Sequence, residues 1–263
     1  AVTLAVAALT AVGFFSDRLQ AGLQRDARQL LGGDAVVVSD NPPAAPWVEQ
    51  ADRLKLRHVL TLTFPTMGRA DDAQGGATRL VALKAVGDGY PLRGQLRLAR
   101  DAADREGQPT SGIPERGTVW VDAALLEALA LKSGDPLLLG DARFRIAELI
   151  ALEPDRGTGF MTFAPRVMLN AADLSATGLV QPASRITYRL AVAGDEPAVR
   201  QYLTWAEAEV KKPEGHGVRR ESLGSGRPEM TRTLDRAEKF LSLVALLAAL
   251  LSAVAVALAA RGF

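Results

Sequence analysis

The 263-residue chain contains no cysteine. That excludes disulfides and thiolate metal sites, and it suits an oxidising compartment without requiring one. Histidine is nearly missing too: His58 opens an apolar run and His216 sits in a Gly-rich stretch. Neither has carboxylates at ligand spacing, and Asp71-Asp72 lacks the spaced acidic ligands of a calcium loop, so no metal site is expected. Aromatics make up 5% of the residues, which leaves an aliphatic core. A net charge of +1 lacks the basic excess of a nucleic-acid binder. No GxxxxGK[ST] loop is present to cradle a nucleotide phosphate, and no G-x-S-x-G elbow to present a serine. Gly157-Thr-Gly159 and Gly224-Ser-Gly226 are isolated glycine pairs of the kind found in turns. No catalytic residue and no cofactor site are expected.

What the chain does have is apolar sequence at both ends. Phe240–Ala260 runs without a charge, glycine or proline. Its length at about 1.5 Å per helical residue matches the roughly 30 Å hydrocarbon core of a bilayer. Residues 240–260 are therefore read as a membrane helix. Residues 1–15 are apolar but short, and read as a membrane helix lacking its first turns, so the chain is expected to be a piece of a longer protein. Ala245, Ala249, Ala253 and Ala257 recur at four-residue steps, a stripe of small residues that lets helix backbones pack closely in a membrane. Next to each span the pattern turns amphipathic. Leu19, Leu23, Ala27 and Leu30 repeat at helical spacing through residues 16–31, ended by Gly32-Gly33. Met230, Leu234, Ala237 and Leu241 form a seam that begins in residues 228–239, after Pro228. Each is read as a stalk continuous with its span. The basic residues visible near the spans lie mostly on the loop side and do not fix the orientation.

Between the stalks the period shortens to that of strands. Asp34–Ser39, His58–Thr63 and Thr78–Val86 are predicted strands, with a helix around Trp47–Leu56 and a polar loop at Arg69–Gly76. Polar Asp101–Arg116 marks a boundary. After it come a strand at Thr118–Val121, a short helix Ala123–Leu131 capped by Asp122, and a hairpin turning at Gly140-Asp141. Asp155 and Arg156 read as part of a turn. A strand at Arg185–Ala193, a helix through about Val210 and a short strand at Gly217–Glu221 resume the first pattern. The fold class is α+β: a βαβ-based unit over residues 32–110 and 181–227, interrupted by a β-rich unit over residues 111–180.

Gly117–Ala151, GTVWVDAALLEALALKSGDPLLLGDARFRIAELIA, resembles a recurring piece of the MacB/FtsX-type ABC transporter permeases. Phe64-Pro65-Thr66-Met67 and Arg79–Gly94 (RLVALKAVGDGYPLRG) bring it nearer the YbbP-like members, and RTLDRAEKFLSLVALL is similar to the segment leading into their second membrane helix. The resemblance implies an extracytoplasmic porter-like unit with an inserted sabre-like unit, held between two membrane helices in a bacterial inner membrane. It implies a non-enzymatic permease whose ATP is hydrolysed by a separate cytoplasmic ATPase subunit, and a hydrophobic or lipid-like substrate. Membrane lipid, a second permease unit or repeat and a periplasmic protein are the further partners it implies. A ligand-sensing domain of a membrane receptor has the same outline; sequence beyond Phe263 separates the two.

Overall fold

β-Branched and aliphatic runs bounded by glycines make this a strand-dominated chain. A computed structural model describes residues 28–157, 163–182, 184–212 and 217–221, with single helical positions between Thr10 and Asp26 and between Phe240 and Val254. Arg28–Ser222 form one compact unit; Ala1–Ala27 with Leu223–Phe263 form another. Among the described residues no helix is long and apolar enough to cross a membrane. Both expected spans, residues 1–15 and 240–260, fall mainly outside those residues.

In Arg28–Ser222 the strands are β1 (Ala35–Ser39), β2 (Arg57–Ala70), β3 (Thr78–Val86), β4 (Leu96–Ala99), β5 (Gln108–Thr110), β6 (Thr118–Asp122), β7 (Pro136–Leu139), β8 (Ala142–Leu152), β9 (Arg166–Asn170), β10 (Thr187–Ala193) and β11 (Val218–Glu221). The helices are α1 (Ala45–Arg53), α2 (Ala123–Leu129) and α3 (Glu196–Val210). The described strands join in one mixed sheet, ordered β11-β1-β10-β2-β3-β9-β6-β8-β4-β5, with β7 against β2 and β8. The fold is α+β.

Strand β10 lies antiparallel between β1 and β2, so β1 and β2 run parallel with a strand between them. By the same logic β10 and β11 run parallel on either side of β1. These are two interlocked split βαβ units, β1-α1-β2 and β10-α3-β11. Residues 71–186 enter between β2 and β10. Helices α1 and α3 cover one face, burying Trp47, Ala51, Val199 and Tyr202 on Val37, Leu190 and Val192. Trp47 and Trp205 meet edge to face at 5.0 Å between ring centroids. Pro46 and Pro197 stand in the first turns of their helices, where a missing N–H costs nothing.

Beyond β2 the sheet carries a core on each face. Phe64, Leu83, Val121, Leu125, Leu137 and Val167 pack on the α2 side. Val86, Trp120, Ile150 and Met168 pack on the other, beneath Tyr90 and Leu92 of the segment after β3. Strand β2 is longer than its predicted core at His58–Thr63. Pro65 lies opposite Ala82 of β3, at a point where β10 has ended at Thr63 and β7 has not begun at Gly68. With no partner on that flank, the missing N–H breaks no ladder. The polar boundary Asp101–Arg116 contains one strand that hydropathy did not reveal, β5, paired with β4.

The expected cap at Asp122 is corrected. Asp122 occupies the N-cap position of α2 but makes no side-chain cap bond. Its carboxylate accepts two hydrogen bonds from Arg156 (3.1 and 2.5 Å) and one from the Arg166 N–H (2.8 Å). A two-point guanidinium pair joins opposite charges, where a cap would join the carboxylate to neutral N–H groups, and it takes the side chain.

The β7–β8 turn gives a sharp test of local sterics. Gly140 has φ +58 and a Cβ there would overlap the Thr177 carbonyl oxygen; Gly134 has φ +94 and open space around it. Both Gly→Ala changes carry the left-handed backbone penalty of about 1 kcal/mol. Gly140→Ala is expected to destabilise residues 28–222 beyond Gly134→Ala, read as a larger drop in the urea midpoint.

Candidate functional site

In the strand RLVALKAV, Lys84 occupies an inward position between Ala82 and Val86. The structure leaves it 1% exposed. Stranding an ammonium in a core costs several kcal/mol unless it is paired and hydrogen-bonded. The pairing comes from far along the chain. Lys84 Nζ donates to Glu153 Oε1 at 2.8 Å, to Asp155 Oδ1 at 2.7 Å and to Tyr90 Oη at 2.8 Å. It also lies 4.5 Å from the Tyr90 ring centre. The Tyr90 hydroxyl donates in turn to Asp155 Oδ1. Arg166 Nε donates to Glu153 Oε2 at 2.7 Å, so each carboxyl oxygen of Glu153 has its own cation.

The electrostatics follow from this geometry. Burial pushes the Glu153 and Asp155 carboxyls up, but their cations more than reverse it and hold both below the usual range. Lys84 and Arg166 act on Glu153, Lys84 and Arg189 on Asp155. Burial, with the negative charges of Asp155 and Glu153, pushes the Tyr90 hydroxyl well above its ordinary value and keeps it a donor. Two cations and two anions neutralise one another in a closed core. The arrangement holds β3, β9 and the segment after β8 together; its charges are spent on one another.

Against this cluster stands the end of the first helix, Arg28–Leu31. Gly32 and Gly33 donate back to Gln29 O and Arg28 O, ending the helix where the glycine pair was expected to end it. A Cβ on Gly32 would lie 3.2 Å from Asp155 Cβ, so the helix end presses on the ion cluster. Beyond the glycines, Asp34 is 3% exposed at its side chain and accepts from Arg93 Nε at 3.0 Å and Nη2 at 2.7 Å. The Gly194 N–H adds a bond at 3.1 Å, and Arg28 Nε lies 3.9 Å away. Burial raises the Asp34 carboxyl, and the Arg93 and Gly194 hydrogen bonds bring it below its ordinary value. The Leu31 carbonyl accepts from Arg189 and the Gly32 carbonyl from the Arg93 N–H. A Cβ on Gly94 would lie 2.7 Å from Gln29 O and 2.8 Å from Pro154 Cβ, so only glycine lets these backbones meet. Beside the helix end opens a groove of about 560 Å³ walled by Gln29, Leu30, Gly94, Gln95, Leu152 and Pro154.

The structure joins the helix end to the motif Arg79–Gly94 that carried the family resemblance. Lys84 and Tyr90 enter the buried cluster, Arg93 clasps Asp34 and Gly94 seats the helix end. Sequence reasoning missed Glu153, Asp155 and Arg166; the signal was a lysine at an inward strand position, which demands a buried acid. Asp155 does sit in the expected turn. Of the expected seam residues, Leu30 is described and half exposed. Leu19, Leu23, Met230, Leu234 and Ala237 lie outside the described residues, as do Ala245, Ala249, Ala253 and Ala257. His58 Nε2 lies 3.0 Å from Asp52 Oδ1, and among the described residues no group of His, Asp or Glu is placed to hold a metal.

This chain is related along nearly its whole length to a YbbP-type ABC transporter permease, of which it spans less than a third. Over 260 residues it is 36% identical to the uncharacterized ABC transporter permease YbbP of Escherichia coli (strain K12), covering 98% of this chain and 30% of that protein. No protein-family model matches it. Among solved structures it is similar to the periplasmic region of MacB from Actinobacillus actinomycetemcomitans (TM-score 0.43, 9% identity, 79% of this chain and 95% of that one). It is also similar to the extracellular domain of the noncanonic ABC-type transporter YknZ from Gram-positive bacteria (TM-score 0.42, 9% identity, 72% and 100%).

Removing the central cation tests the cluster. Lys84→Met leaves two buried carboxylates short of a partner and is expected to cost on the order of 3–5 kcal/mol. The sign with pH is fixed. In the wild type both carboxyls are depressed, so their contribution is present above the unfolded carboxylate pKa and lost as pH falls through the folded one. In Lys84→Met burial dominates and a carboxyl rises above its unfolded value, so that variant loses stability as pH climbs. The urea-midpoint gap between the two proteins is expected to be wider at about pH 8 than at about pH 5.

Proposed function

We propose that this chain is the extracytoplasmic core of a permease subunit that passes ATPase-driven motion through its stalks to a domain handling a hydrophobic or lipid-like substrate. The observation that carries the reading is the tie between helix end and domain. The Leu31 carbonyl accepts from Arg189 and the Gly32 carbonyl from the Arg93 N–H, Arg93 clasps Asp34 just beyond, and Gly94 seats the Gln29 backbone, so displacement of the helix end loads the sheet directly. A passive tether needs no such junction. Kinship with a permease of the ABC class supports a cytoplasmic ATPase as the motor. The interlocked βαβ strands with their own helix-covered core support a porter-like unit, and the strands entering between β2 and β10 a sabre-like one.

In this reading residues 1–15 and 240–260 are bacterial inner-membrane helices and the bulk of the chain is periplasmic. Phe240, Leu243, Leu247 and Leu251 are helical, with exposed apolar side chains, as a lipid-facing helix requires. The stripe Ala245, Ala249, Ala253 and Ala257 packs on another membrane helix, of this unit or a second one. A periplasmic protein partner fits the same scheme.

Two outcomes follow. The purified permease alone is expected to show no ATP turnover, because the chain has no phosphate-binding loop; turnover appears when the ATPase subunit is added. Leu234→Pro, which breaks a helix hydrogen bond at a cost of roughly 3 kcal/mol, is expected to leave residues 28–222 folded. In the reconstituted complex it should let ATP hydrolysis run without transport. Normal transport by Leu234→Pro reduces the stalk to a tether.

A further inference from the structure

The groove of about 560 Å³ beside the helix end falls within the range of small-molecule sites, roughly 300–1,000 Å³. Leu30 borders it on the helix side and Leu152 on the sheet side. They are 50% and 51% exposed, so each keeps aliphatic surface in water at a concave place. The charge on the wall belongs to Arg97, the residue directly opposite Leu152 across β4 and β8. Cross-strand partners share a face of the sheet, so cation and leucine stand side by side. Arg97 Nε donates to Glu106 O at 2.5 Å and Nη2 to Gly107 O at 2.8 Å. Both acceptors are neutral carbonyls, and among the described residues no carboxylate pairs with this guanidinium. Around it Lys84, Arg93, Arg156 and Arg166 each have an acid. Glu153, the acid on the groove wall, has both oxygens taken by Lys84 and Arg166. The charge of Arg97 is thus held in place without being neutralised.

We infer that the groove binds an anionic amphiphile, one carboxylate or phosphate head on an aliphatic chain. The head meets the Arg97 guanidinium, whose remaining N–H groups suit the oxygens of either group. The chain lies between Leu30 and Leu152 and takes both out of water. A neutral lipid leaves the charge of Arg97 unanswered, and a small inorganic anion leaves the leucines wet. Recognition therefore asks for both parts in one molecule. The inference deepens the proposed handling of a lipid-like substrate, and it rests on that reading only for the bound molecule's being cargo.

The test is photolabelling of the full-length permease in nanodiscs with dodecanoic acid carrying a terminal diazirine, the labelled peptides being identified by mass. Adducts are expected on the peptides that hold Leu30 and Leu152. Arg97→Gln is expected to lower them about tenfold, the loss of one hydrogen bond to a charged group. Arg97→Lys keeps the charge and is expected to keep the label; Arg100→Gln, at an exposed ion pair with Asp104, is the control. Dodecyl phosphate is expected to compete and dodecanol is not. Adducts only elsewhere, equal labelling of Arg97→Gln, a loss shared by Arg97→Lys, or competition by dodecanol each overturn the site. Discs of phosphatidylcholine alone, compared with discs containing phosphatidylglycerol, separate the sources. Suppression by phosphatidylglycerol makes the occupant a lipid of the bilayer, and undiminished labelling makes it a free amphiphile. Groove labelling together with ATP turnover, in the presence of the ATPase subunit, that ignores dodecanoate keeps the site and removes its role for cargo.

Discussion

One buried ammonium sets the terms for half of this domain. Lys84 has no water to return to, so the fold must bring acid to it, and the acids come from 69 and 71 residues further along. Meeting that demand fixes where β8 ends, how the chain turns after it and which face of β9 Arg166 occupies. Tyr90 completes the cage by donating to Asp155 while accepting from Lys84. An apolar residue at position 84 would ask for none of this. Buried ionic groups contribute little net stability when replaced whole by hydrophobes, yet removing one member is severe. The cluster is thus best understood as a device for uniqueness, allowing one register among the strands that meet there.

The same cluster explains why the helix end lands where it does. Asp155 faces Lys84 with its carboxylate and Gly32 with its Cβ, so the residue that neutralises the core also forms the seat of the helix. Arg189 links both, bonding the Leu31 carbonyl and lowering the Asp155 carboxyl pKa. Core electrostatics and the attachment of the first helix are therefore not separate features. A change made to either is felt by the other through two or three side chains.

Much of the fold was legible because its signals are local. Val36, Val37 and Val38 announce β1, Trp47 and Ala51 the buried stripe of α1, and Gly140-Asp141 the β7–β8 turn. What was not legible depends on distance or on a flank. Pro65 should end a strand, and does not, because the flank it would disrupt carries no partner. Asp122 has every local credential of a cap, but Arg156 and Arg166 arrive from 34 and 44 residues away and outbid the backbone. Asp155 sat in a correctly read turn whose burial no turn rule encodes. The helix end was placed by its glycines; its clasp, Asp34 with Arg93, spans 59 residues and was silent. The family resemblance pointed at Arg79–Gly94 without saying why, and the reason is that three of its side chains and one missing Cβ converge on a single junction.

The strand order has a consequence for how the chain is made. Strand β1 leaves the ribosome before the other strands of Arg28–Ser222, yet both of its neighbours, β10 and β11, lie beyond residue 186. Until they emerge its valines have no sheet to join, and the near edge of β2 stands bare. Long-range pairings of this kind slow folding and leave strand edges open to the wrong partners. Residues 71–186 have the chance to build their own two-faced core on β2 first, with β10 closing the gap last. Strand β1 would then need protection until β10 and β11 emerge, a demand set by topology alone.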